Sequence, residues 1–220
     1  MKKTTTILCL GIALCMLGCS DDDDQVTTTS TVPFSLTASL SPRSSDAEDT
    51  GILQGNWDAN SQLAVIKTGS SGVPKSILTR KTDSSDTFTG NLSTLVKNEN
   101  EIAVFYPAAA ITANSSDTLT QTLNLSGQDG TLAGITNYDY LWAQCKAGMN
   151  ETTGSSACEM TSLVTIGKFQ FTVNGGSPLN NITRITITAT AGTLYSSAVM
   201  KLKNGEFSST QTGNITIKNK

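Results

Sequence analysis

From residue 32 onward, apolar and polar residues follow one another in short segments set off by turn-forming residues. Segments at 32–40, 62–67, 76–80, 86–92, 101–106, 119–125, 138–144, 163–173, 182–190, 198–203 and 214–218 have the length and the β-branched content of strands. In the stretch beginning at Ile182, Ile185 and Ile187 share one face while Thr186 and Thr188 occupy the other, the pattern of a half-buried antiparallel strand. Gly, Asn, Ser and Pro gather at 68–72, 127–130, 174–178 and 204–205, at the spacing of turns in a β-sandwich. The Thr-, Ser- and Asn-rich composition alone would also suit a disordered chain, but recurring apolar segments exclude that reading. The expectation is an all-β fold over 32–220, with a first strand at 32–40 and an exposed loop at 41–51.

The N-terminus breaks this pattern. Lys2 and Lys3 precede an apolar run at 7–17, and Gly18 stands before Cys19, the order of charged, apolar and small residues in a secretory signal. A run of this length falls well short of the roughly 20 residues that span a bilayer, so residues 1–18 read as a removable signal and not as an anchor. Met16-Leu17-Gly18-Cys19 resembles a bacterial lipobox, with Met16 where Leu is usual. Cys15 is a rival lipid site, although the bulky Leu14 before it fits poorly. Two or three acyl chains on Cys19, each buried methylene contributing ~0.8 kcal/mol, would hold the chain at the outer membrane without help from the polypeptide. Ser20, Asp21, Asp22, Asp23 and Asp24 follow at once. Like charges in a row repel and extend, so 19–31 reads as a tether. The same run resembles the surface-export signal of lipoproteins in the Bacteroides group.

Charge narrows the function classes. Loss of Lys2 and Lys3 takes the formal charge from −3 to −5, and the four aspartates account for −4 of it, leaving the rest near neutral. Nucleic-acid binding would need a basic footprint that is missing. With no His in the chain, a Ser-His-Asp or Cys-His device cannot be assembled, nor can a His-based metal site. Glu99 and Glu101 could supply a carboxylate pair, but their polar setting points to solvent. No phosphate-cradling glycine motif is present, so no cofactor is implied and the chain does not read as an enzyme. A surface glycan-binding lipoprotein of a polysaccharide-utilisation system is the alternative function. It would want an exposed aromatic platform, and Trp57 and Trp142 both occupy plausible strand or core positions.

Two further features carry chemistry. The polar 41–51 stretch that separates the first strand from the rest is where an exposed loop could be nicked and that strand cut free. Cys145 and Cys158, the only cysteines outside the signal and lipid site, are separated by twelve residues of polar character. In an oxidising compartment they are expected to pair, closing a loop whose cross-link is worth roughly 3 kcal/mol. Two separate buried thiols are the other reading.

The order of segments resembles that of the fimbrillins, the pilus-subunit lipoproteins of Bacteroidales. The matching pieces are Trp57 with Leu63-Ala64-Val65-Ile66, Phe88, and Ile102-Ala103-Val104-Phe105-Tyr106-Pro107. They continue with Leu125-Ser126-Gly127-Gln128-Asp129-Gly130-Thr131, with Tyr138-Asp139-Tyr140-Leu141-Trp142-Ala143, and with Ile185-Thr186-Ile187 leading to Gly192-Thr193-Leu194 and Asn204-Gly205. The resemblance implies a transthyretin-like β-sandwich, cleavage between Arg43 and Ser44 by a trypsin-like protease, and assembly with other fimbrial subunits by strand exchange; Arg43 is the sole Arg or Lys between Cys19 and Lys67, and a solvated surface Arg is the alternative. An adhesive subunit would also take a host or bacterial surface ligand. Two departures stand out: fimbrillins carry a second sandwich, which is expected to be absent or incomplete here, and many carry a His in the strand corresponding to 163–173. Asp117-Thr118-Leu119 further resembles the short O-glycosylation motif of Bacteroides proteins, with Thr118 as acceptor. The lipid assignment is tested by Cys19→Ala, which is expected to abolish acyl labelling and membrane retention; labelling that persists would move the lipid to Cys15.

Overall fold

The computed structural model describes residues 30–43, 51–69, 72–84, 86–112, 120–172, 176–179, 181–191 and 194–218. Within them lie strands β1 (Thr31–Leu40), β2 (Gln62–Lys67), β3 (Ser76–Arg80), β4 (Thr87–Ser93), β5 (Glu101–Tyr106), β6 (Thr120–Asn124) and β7 (Leu141–Lys146). They continue with β8 (Gly148–Met149), β9 (Gly154–Ser162), β10 (Arg184–Ile187), β11 (Tyr195–Lys201), β12 (Phe207–Thr212) and β13 (Ile215–Lys218). The single α-helix among the described residues, α1 (Leu132–Ile135), is one turn, capped by Thr131, whose hydroxyl accepts from the Gly134 amide. The fold is all-β.

Eight strands form one sheet in the order β1-β4-β3-β2-β5-β7-β9-β8, and β1 also pairs with β9, so the sheet closes on itself. The β1–β9 ladder is parallel, whereas β1 runs antiparallel to β4. Inside the closure lies the main core, with Phe34, Leu36, Leu63, Val65, Leu78, Phe88, Ile102, Val104 and Met160 contributed by facing strands. A second core lies on the outer face of β2 and β5, where Ala64, Ile66, Ala103 and Phe105 pack against Leu123, Met200 and Leu202. The cover is the three-stranded sheet β12-β11-β6.

This double burial explains two sequence patterns at once. β1 faces a single core and alternates, with Val32, Phe34, Leu36 and Ala38 buried between more exposed neighbours. β2 and β5 are buried on both faces and therefore read as continuous apolar runs, Leu63 to Ile66 and Ile102 to Tyr106. Close approach of β3 and β4 requires Gly90, since a Cβ there would sit 2.6 Å from the Ile77 carbonyl oxygen.

The structure departs from the sequence reading in three places. The expected strand at 163–173 has no ladder; the described part of it holds an isolated bridge from Thr172 to Pro178, and Phe169 is 53% exposed. Apolar alternation alone cannot make a strand where no partner strand is at hand. The stretch after Cys145, expected to be a polar loop, is instead a hairpin of β7, β8 and β9. Its tip is tied by Asn150, whose side-chain oxygen accepts from the amides of Thr152 and Thr153 at 2.9 and 2.8 Å. The third departure is β12, which sequence periodicity did not reveal.

Leu36 is fully buried, whereas Thr37 points outward. Urea unfolding of the mature chain is expected to show a loss of about 2–5 kcal/mol for Leu36→Ala, and within about 0.5 kcal/mol of no change for Thr37→Ala.

Candidate functional site

The first strand is gripped along both edges. Against β4 its register runs from Thr31 opposite Ser93 to Thr37 opposite Thr87. Against β9 it runs from Phe34 opposite Gly154 to Leu40 opposite Met160. Pro33, which has no amide hydrogen to donate, lies just before the β9 ladder begins, so no bond is lost there. Gly154 makes room for Phe34, whose ring would lie 2.6 Å from any Cβ at that position. Beyond the ladders, the Trp57 indole donates to the Ala38 carbonyl at 2.6 Å, and the Ala38 amide donates to the Asp86 carbonyl. Ser39 and Ser41 hydroxyls donate to the Cys158 carbonyl and to Glu159.

At the C-terminal end of β1 the chain is pinned by Arg43. Its amide donates to the Leu53 carbonyl at 2.8 Å, in the 3-10 turn Gly51–Gln54, and its guanidinium reaches inward. Both terminal nitrogens donate to the two carboxylate oxygens of Asp139, and one also donates to the Ser162 hydroxyl at 3.1 Å. The Asp139 side chain is 0% exposed and that of Arg43 20%. Such a fork-to-fork pair is held by geometry as well as charge. Removing one partner strands a buried charge, at a cost of roughly 3–5 kcal/mol. Trp57 and Tyr106 line this end of the closed sheet, their rings 5.2 Å apart and edge-on. Burial pushes the Tyr106 hydroxyl up to about 12, so it stays protonated across the physiological range.

Cys145 and Cys158 lie side by side as thiols. The β7–β9 register pairs Trp142 with Thr161, and β8 pairs Gly148 with Ser155, so continuing either ladder sets Cys145 directly opposite Cys158. Opposed residues of an antiparallel pair have Cα atoms about 4.5–5.5 Å apart, inside the ~7 Å limit for a disulfide. Hydrogen bonding from Cys158, with help from Ser156, holds the Cys145 thiol below its ordinary range, to about 7, while Cys158 is pushed up by its neighbour and by burial. Both pack against the main core.

The remaining candidates do not gather at this site. Cys19, Ser20, Asp21 to Asp24, Ser44 and Thr118 lie outside the described residues. Glu99 pairs with Lys146 at the surface, and Glu101 accepts from Gln144. Trp57 is buried; Trp142 is half-buried, with Gly205 set so closely on its ring that a Cβ would approach to 2.7 Å. Neither Trp offers a sugar-stacking platform. The partner of Arg43 escaped sequence reasoning, although an Asp inside the apolar block Tyr138 to Ala143 signals a buried charge that needs one.

No known family model matches the sequence, and no curated protein matches it. Among solved structures, the chain is similar to a protein of Bacteroides ovatus ATCC 8483 assigned to cell adhesion, with 15% identity and a TM-score of 0.53 over 86% of this chain and 72% of that one. It also matches a fimbrial assembly protein of Parabacteroides distasonis ATCC 8503, with 11% identity and a TM-score of 0.42 over 86% and 77% of the two chains. The first likeness shows a shared fold.

The opposed cysteines generate a direct expectation. Protein isolated from an oxidising compartment without reductant should yield a Cys145–Cys158 cross-linked peptide on non-reducing digestion, and two alkylatable thiols would show that the pair stays reduced.

Proposed function

We propose that this chain is a structural or adhesive subunit of a bacterial surface fimbria, with a structural and not an enzymatic role. In this reading it is exported and anchored to the outer membrane through Cys19, with residues 20–24 routing it to the cell surface. The closed sheet is then the transthyretin-like sandwich of a fimbrillin, and its partners are other fimbrial subunits together with a surface ligand.

One observation carries the reading: β1 is the strand that closes the sheet, and residues 41–51, which lead from it to the rest of the described fold, contain the sole basic residue of the region. A strand so placed can leave as a unit once the loop is cut. It would expose the edges of β4 and β9 with their unpaired amides and carbonyls, a groove that a strand from another subunit can fill. The groove would be selective, because only an alternating strand can replace Val32, Phe34, Leu36 and Ala38 on one face. The names attached to the similar structures, cell adhesion and fimbrial assembly, agree with this role. The described residues offer no exposed Trp to favour the glycan-binding alternative.

The test uses the mature protein, cut with an Arg-specific protease and offered a fluorescent peptide of residues 30–43. Cut protein is expected to take up the peptide and to form fibres visible by negative-stain electron microscopy, whereas uncut protein does neither. Cut protein that excludes the peptide and stays monomeric would sink strand exchange for this chain.

A further inference from the structure

Arg43 is at once the sole residue in its loop that an Arg-reading protease could use and a residue whose side chain is already taken. A protease of this kind draws the guanidinium of the residue before the cut into a pocket floored by a carboxylate. Here the same guanidinium is engaged by both oxygens of a fully buried carboxylate and by the Ser162 hydroxyl, and its own backbone amide is bound to Leu53. We propose that Asp139 is a latch: it masks Arg43 from proteolysis for as long as β1 is seated, and so couples cleavage of the loop to loosening of the strand. For its biological use the latch rests on the processing reading given above.

The chemistry of the latch follows from where its three parts stand. Arg43 follows the last residues of β1, Asp139 stands just before β7, and Ser162 ends β9, opposite Leu141. The bidentate pair therefore ties the movable strand to the two strands that stay behind. Freeing the Arg43 side chain leaves Asp139 charged and buried, so the state a protease can read is rare in the folded protein. Cleavage that follows a brief opening tracks the population of the open form. That population is set by the carboxylate and not by the length of the loop. Asparagine at 139 keeps the shape and some hydrogen bonding but removes the charge, and the opening should become frequent.

The experiment is limited trypsin digestion of the full mature chain, read by the mass of the released N-terminal fragment after denaturation. A Ser45→Arg substitution serves as an internal reference, because it places a second Arg in the same loop that Asp139 cannot hold while it holds Arg43. In that protein, cleavage after position 45 is expected to outpace cleavage after Arg43 by at least about tenfold, and adding Asp139→Asn should bring the two rates together. Equal rates with Asp139 intact would overturn the latch. So would slow cutting at Arg43 that survives Asp139→Asn, since protection would then come from the backbone seat alone. Should Asp139→Asn lose the fold, shown by rapid cutting at every Lys and Arg, Arg43→Lys with Asp139 intact decides instead: trypsin reads either cation but a lysine cannot make the two-pronged pair, so cutting after position 43 should approach the rate at position 45, and slow cutting that persists would assign the protection to the backbone seat and overturn the latch. The readout is a fragment mass and not a fibre, so a failure of strand exchange appears in the fibre assay and leaves this measurement unaffected.

Discussion

Closure of the main sheet depends on a strand that pairs with β4 on one side and β9 on the other, and most of the core is organised around that closure. Fully burying a Val, Leu or Phe side chain contributes roughly 1.5–3 kcal/mol, and β1 buries one of each together with Ala38. A domain of ordinary net stability holds about 5–15 kcal/mol in all. The groove left by β1 could not stay empty without bringing the folded state close to its limit. A strand that leaves must therefore be replaced by one that alternates in the same register, with an aromatic residue where Gly154 has no side chain.

What the sequence disclosed, it disclosed through burial. Strands buried on one face alternate and those buried on both faces run continuously apolar, so β1, β2, β3 and β5 can be placed almost to the residue from their patterns. β9 could not be placed this way. Gly154 makes way for the bulk of Phe34 and is followed by the small residues Ser155, Ser156 and Ala157, and smallness in a Ser- and Thr-rich stretch looks the same as a loop. The opposite error at 163–173 has the converse cause: Phe169 and Phe171 alternate with polar residues, yet both stay largely exposed and find no ladder. Periodicity reports which side chains want burial, whereas pairing depends on what lies alongside.

The site was legible only in pieces. Arg43 stood out as a lone cation in a polar loop, and Cys145 and Cys158 as the sole pair in the folded part. That Arg43 turns inward to a carboxylate ninety-six positions away is a product of topology, which brings the end of β1 beside the start of β7. The cysteines show the same dependence. Twelve intervening residues suggested a loop for the cross-link to close, but Asn150 turns the chain and the ladder itself already sets the thiols face to face. Chain-entropy arguments for a disulfide weaken when neighbouring hydrogen bonds fix the same geometry, so its contribution here would be more local than loop length implies.

β9 is where these features meet. One of its edges holds β1 and the other holds β7, with Cys158 facing Cys145 across the second ladder and Ser162 reaching the guanidinium of Arg43 at its end. A strand that must receive a replacement for β1 has to keep its position while its first partner is away, and half of its backbone bonds would then be missing. Anchorage to β7 supplies that rigidity, and a sulfur–sulfur bond between the two would strengthen it on the side away from the groove. Asp139, just before β7, reaches across to the end of β1. The fixed wall is thus held by a ladder whose permanence the cysteines can secure, and the ion pair, whose opening the buried charge resists, reinforces the two ladders that seat the releasable strand.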